Sequence, residues 1–107
     1  MKSMKFRKDL SKLILDGKKQ STWRLFDDKD LAAGDIVSFI VWETKEEFAK
    51  ARLTEVREKT FGELSDSDWE GHERFQSEKE MYSTYSKYYG RDVSKDSAVK
   101  IIRFELM

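Results

Sequence analysis

The sequence predicts an α+β fold: a small, barrel-like sheet of about five to six mostly antiparallel strands, two main flanking helices and short helical turns. Three observations carry that expectation. Only two stretches, one starting at Lys8 and one at Ser77, show apolar residues at helical spacing with a glycine at the end. Several others are β-branched, aromatic or alternating, as strands are. Helices and strands do not alternate in the βαβ rhythm of a parallel sheet, which leaves a segregated architecture.

The first helix follows a short strand or lead-in at Met4–Phe6. Leu10, Leu13 and Ile14 recur on one face, Phe6 extends it, and Gly17 supplies the stop. From Gln20 to Leu25 the chain reads as a strand. Gln20, Thr22 and Arg24 then face one way, and Ser21, Trp23 and Leu25 face the other, into a core. Asp27 to Asp30 is expected as a solvated loop. After the Gly34-Asp35 turn, the run Ile36 to Trp42 is apolar on both faces, which predicts a central strand buried on both sides. Glu43 to Glu47 reads as a hairpin loop. From Phe48 the next strand alternates, with Ala49, Ala51 and Leu53 inward, until Val56 breaks the phase. That break predicts a β-bulge near Thr54-Glu55. Thr60 to Glu63 and Ser77 to Glu80 each fit a capping box, the second opening a helix of Met81, Tyr82, Tyr85 and Tyr88 or Tyr89 that ends at Gly90. Ala98 to Leu106 is the last strand.

A chain of 107 residues is expected to be a single domain, residues 1–107, because halves of it would be too small to bury a core each. Charged residues make up 39% of it, yet fourteen aromatics (three Trp, four Tyr, seven Phe) supply large apolar area. With no cysteine, disulfides, thiol catalysis and thiolate metal sites are excluded, and a single histidine rules out a multi-histidine metal site. Neither a metal nor a cofactor is expected. No apolar run reaches membrane-spanning length and the N-terminus lacks a signal peptide's apolar stretch, so a cytoplasmic location is expected. Net charge is zero but uneven. Met1 to Phe26 carries eight Lys or Arg against two Asp, and Glu63 to Glu80 carries seven acids against two bases. That asymmetry suggests a positive face suited to phosphates, while the zero net charge argues against tight non-specific binding to duplex nucleic acid. His72 is the lone side chain that ordinarily titrates near neutral pH. Trp69, in a polar loop, is the best candidate to stack on a base. Trp23 and Trp42 are expected in the core. The oligomeric state stays open.

The stretch Gly17-x-Lys19-x-x-Thr22-x-Arg24 resembles the GxKxxTxR motif of the ASCH domain family, which shares the PUA-like fold. The resemblance extends over nearly the whole chain, through the Gly34-Asp35 turn, the Glu70-Gly71 pair, the tyrosine helix and the strand Val99 to Phe104. It implies a PUA-like barrel with a cleft lined by the motif and an acid. It also implies binding of RNA or of a modified nucleoside or nucleotide, with Arg24, Trp69, His72 and Glu73 as ligand-binding candidates. One small bacterial branch of the family hydrolyses N4-acetylcytidine. Carried over by motif, its lysine, threonine and glutamate would be Lys19, Thr22 and Glu70, with Glu73 also admitted by the spacing. In that alternative Thr22 is the nucleophile, Lys19 the base and Glu70 the group that holds the lysine or serves the leaving amine, while Arg24 faces the oxyanion.

Overall fold

A computed structural model describes residues 1–26 and 29–107; Asp27 and Asp28, expected in a solvated loop, lie outside the described residues. The chain forms β1 (Ser3–Phe6), α1 (Lys8–Leu15), β2 (Ser21–Arg24), β3 (Ile36–Val41) and β4 (Glu47–Thr60). Two 3₁₀ turns follow, Phe61–Glu63 and Asp66–Trp69, and then α2 (Glu78–Tyr89) and β5 (Ala98–Leu106). The five strands make one sheet in the order β1-β3-β4-β5-β2. β1 runs parallel to β3, and the other pairs are antiparallel.

The sheet curls but does not close, which corrects the expected barrel to an open half-barrel. Its two edges are β1 and β2, and no ladder joins them. A side chain crosses the gap instead. Arg24 Nη2 on β2 donates to the Lys5 carbonyl on β1 at 2.8 Å, with the guanidinium 4.5 Å from the Phe6 ring centre. The curl itself comes from β4, a 14-residue strand whose register with β5 shifts between Leu53 and Glu55. That is the bulge the phase break at Val56 predicts, and an extra residue there bends the strand and raises its twist.

Inside the curl lies one apolar core, with Met4, Phe6, Ile14, Val37, Phe39, Ala51, Leu53, Ile102 and Phe104. α2 builds a second on the opposite face of β2 and β5, with Trp23, Phe61, Met81, Tyr85, Val99 and Ile101. Alternation along β5 feeds both, since Ile101 and Ile102 point to different cores. β3 has only the first core beneath it. Val37 and Phe39 are fully buried while Ile36 is exposed, so the strand expected to be buried on both faces is covered on one. Trp42, just past its end, is 46% exposed rather than in the core. The reason is the placement of α2, which covers the β2 and β5 side and leaves the outer face of β3 without a layer.

Candidate functional site: a cleft between the sheet edges

The geometry of the site begins with how α1 ends. Gly17 takes φ +77°, a conformation that other residues reach only at a cost. Its N–H donates to Ile14 O at 3.1 Å and the Lys18 N–H to Leu13 O at 2.9 Å. These are the paired bonds of a Schellman motif. The Lys19 N–H also reaches Leu13 O, at 3.1 Å, so the backbone of Lys19 is tied to the helix end before β2 starts. On the other side, the N–H groups of Gln20 and Ser21 both donate to Gly71 O, at 2.7 and 3.1 Å. Gly71 has φ +74°, and a Cβ there would lie 3.0 Å from Gln20 Cβ. Glycine is required twice over at this crossing, and the crossing brings His72 and Glu73 against the start of β2.

Lys19 Nζ forms an ion pair with Glu73 Oε1. The lysine side chain is 1% exposed and that of the glutamate 21%, so the cation is the buried partner. Burial pushes the Lys19 pKa below its ordinary value; Glu73 opposes that shift and Arg24 reinforces it. His72 Nδ1 lies 2.8 Å from Glu73 O and 3.1 Å from Glu73 Oε1. Its Nε2 is 3.4 Å from the Tyr85 hydroxyl. The imidazole stacks on Trp23 with centroids 3.9 Å apart. Burial, and then the Lys19 charge, hold the His72 pKa well below 6.5, and burial raises Tyr85 well above 10.

Where the barrel would have closed there is a cavity of about 360 Å³ between β1, β2 and α2. Thr22, Arg24 and Glu73 line it together with Lys5, Phe6, Arg7, Trp42, Tyr85 and Tyr88. Among the described residues Glu73 is the only carboxylate on its wall. Thr22 is 4% exposed on the wall of β2, and Lys19 sits behind Glu73 rather than on the surface of the cleft. At the mouth, the Arg7 guanidinium lies 4.4 Å from the Trp42 ring centre and 5.4 Å from that of Tyr88.

Other residues singled out from the sequence stand apart from this cleft. Glu70 is exposed, and its carbonyl accepts from Ser21 Oγ and from Arg103, both at 3.3 Å. Trp69 packs edge-on against Trp23 at 4.6 Å and belongs to the α2 core. His72 is buried behind Glu73. Arg7, Trp42, Tyr85 and Tyr88 are lining residues that sequence reasoning did not assign to the site. Tyr85 and Tyr88 show in the sequence only as part of one face of the second helix. Trp42 looked like the end of a buried strand, and nothing in the sequence distinguishes it from one. No group of three or more His, Cys, Asp or Glu among the described residues is placed to hold a metal ion, and no helix among them is long and apolar enough to cross a membrane.

Solved structures share this architecture from end to end. The crystal structure of an ASCH domain from Lactobacillus crispatus superposes with a TM-score of 0.70 at 14% identity, covering 98% of this chain and 79% of that one. The chain has the ASCH-domain fold. The ASCH protein of Zymomonas mobilis matches at TM-score 0.64 and 17% identity, over 96% of this chain and 65% of its own. A crystal structure of the hypothetical protein PH0355 matches over the full length of both chains, at TM-score 0.75 and 26% identity. No protein-family model and no curated protein matches the sequence.

Proposed function

We propose that this ASCH-fold protein binds RNA or a modified nucleoside or nucleotide, taking one nucleoside unit into the cleft between β1 and β2. The observation that carries this reading is the composition of the cleft wall. Aromatic rings and guanidinium groups surround the Glu73 carboxylate, in a volume of about 360 Å³ that falls in the size range of small-molecule sites. Trp42 and Tyr88 offer faces for a planar base. Glu73 accepts from an exocyclic amine, and Arg24 and Arg7 meet phosphate or a carbonyl edge. The working location is the cytoplasm, as expected from the sequence. Titration calorimetry with cytidine, N4-acetylcytidine, cytidine 5′-monophosphate and a single-stranded hexaribonucleotide tests the reading. Saturable, salt-sensitive binding that Lys19→Ala and Arg24→Ala both weaken is expected. Binding indifferent to both changes removes the cleft from the account.

A second reading, hydrolysis of an N-acylated pyrimidine nucleoside, is favoured by one observation. A buried lysine whose pKa is lowered first by desolvation lies behind Glu73, the only carboxylate of the cleft among the described residues, and a threonine hydroxyl group belongs to the same wall. In this reaction the fraction of Lys19 in its neutral amine form, which burial raises, acts as base: Thr22 Oγ attacks the acyl carbon and its proton passes to that amine. Arg24 faces the oxyanion. The exocyclic amine leaves with a proton returned from Lys19, and water then hydrolyses the acyl-threonine. Here Glu73, rather than Glu70, is the acid that holds the lysine. Incubation with N4-acetylcytidine should release cytidine in a manner abolished by Thr22→Ala. No release, or release that survives the substitution, eliminates this mechanism.

A further inference from the structure

His72 has no part in the binding or the hydrolysis described above, yet both of its ring nitrogens are engaged and its side chain is 1% exposed. The partners of each nitrogen determine its proton. Nδ1 faces two acceptors, Glu73 O at 2.8 Å and Glu73 Oε1 at 3.1 Å, so Nδ1 must carry the hydrogen. Nε2 faces the Tyr85 hydroxyl at 3.4 Å, and a phenol held in its protonated form by burial donates. The two charged groups besides Glu73 that bear on the ring are Lys19 and Arg74, and both disfavour an imidazolium. The ring plane is set independently, by stacking on Trp23 at 18°.

These constraints run in one direction, toward Glu73. Its Oε1 receives the Lys19 ammonium and lies within reach of the His72 N–H, so two buried donors converge on one oxygen of the only acid in the cleft wall among the described residues. A glutamate side chain has several rotamers, and 21% exposure would otherwise let it swing into the cleft. We propose that His72 is a positioning residue: as the Nδ1–H tautomer, braced on Trp23 and anchored at Nε2 by the Tyr85 hydroxyl, it fixes the Glu73 carboxylate against Lys19. Trp23, His72, Tyr85 and Glu73 thereby act as one unit that sets where the acid of the cleft points. The consequence for ligand binding rests on the cleft being the ligand site. The tautomer and the geometry at Lys19 do not, and they are measurable in the free protein.

The chain has one histidine, so a long-range ¹H–¹⁵N correlation spectrum of uniformly labelled protein at pH 7.5 reads this ring alone. A protonated Nδ1 with an unprotonated Nε2 is expected; an Nε2–H ring, or averaging between tautomers, overturns the proposal even if no variant folds. Positioning is then separated from packing by following the Lys19 ¹⁵Nζ titration. In Tyr85→Phe and His72→Gln the acid loses its brace. The Lys19 midpoint should fall by about half a pH unit, the size a lost hydrogen bond produces. His72→Asn, which keeps an N–H near the Nδ1 position, should restore it. Equal midpoints in all three variants, with melting temperatures lowered alike, would reduce His72 to a packing residue. A failed nucleoside titration alongside the expected tautomer would sink the ligand reading and leave this one standing.

Discussion

Two carboxylates five residues apart, Asp68 and Glu73, each meet cations, and they do so in opposite ways. Asp68 has a side chain that is 0% exposed, with Arg57 and Lys59 reaching it from the surface at 34% and 28% exposure. It accepts from Arg57 at 2.5 Å, Lys59 at 2.8 Å, the Ser65 N–H at 2.9 Å and Ser65 Oγ at 3.1 Å. Burial alone would raise its pKa, but these bonds together outweigh it and hold the carboxyl well below the usual range. Around Glu73 the order is inverted, since the cation is buried and the acid faces a cavity. A buried acid surrounded by donors has no capacity left for a ligand and serves to tie down a loop. A buried cation behind a partly exposed acid leaves that acid available. The difference between the two clusters is which partner water can reach.

Breaking each cluster should therefore produce different losses. The largest effect is expected for Asp68→Ala, which strips the Ser65–Asp68 capping box and leaves two cations facing a cavity. A loss of about 3 kcal/mol in urea denaturation is expected; a loss under about 1 kcal/mol would mean that the cluster is ornamental. Lys19→Met is the counterpart. Its partner Glu73 is 21% exposed, so the acid left behind still reaches water, and the cost should stay below that of breaking a fully buried pair, at about 1–2 kcal/mol, while nucleotide affinity falls at least about tenfold, roughly 1.4 kcal/mol. Equal damage to folding in both variants would erase the contrast.

The two clusters should also separate on a pH axis. The folded pKa of His72 lies well below 6.5, so in that window the unfolded chain binds a proton that the native protein does not. Its stability contribution is present above pH 6.5 and is lost as pH falls, at up to about 1.4 kcal/mol per pH unit. Asp68 also has a depressed folded pKa, so its contribution is present above 3.8 and is lost only below it. Melting temperature against pH should show two steps, and His72→Phe should flatten the upper one while leaving the lower. The smallest effect is expected at Glu70→Gln. An exposed side chain that offers the fold only its backbone carbonyl should change stability and binding by less than about 0.5 kcal/mol.

Much of this contrast was legible in the sequence where local chemistry decides it. The Gly17 stop, the alternation of Thr22 and Arg24 against Trp23, the bulge near Thr54-Glu55 and the Thr60–Glu63 capping box depend on neighbours in the chain, and the structure has each of them. At Ser77 only half of the expected box forms: its hydroxyl accepts from the Glu80 N–H at 3.1 Å. What escaped depends on which layer covers which face. Trp42 follows an apolar run and reads as core, but whether it is buried depends on α2, whose placement no nearby residue encodes. Closure of the sheet is likewise a property of two edges 15 or more residues apart, and Arg24 bridges them with a side chain where a ladder was expected. Glu70 and Glu73 are alike in type and context. Only the Gly71 crossing, a contact between residues some 50 positions apart, turns one toward Lys19 and the other toward solvent.

The most direct test of the central claim is a calorimetric titration of cytidine 5′-monophosphate into the wild-type protein and Lys19→Met side by side, with a melting curve for each. Saturable binding to the wild type is expected, with at least about tenfold weaker binding to the variant and a melting temperature lowered by less than in Asp68→Ala. Equal affinity for the two proteins, or no binding to the wild type, would contradict that claim.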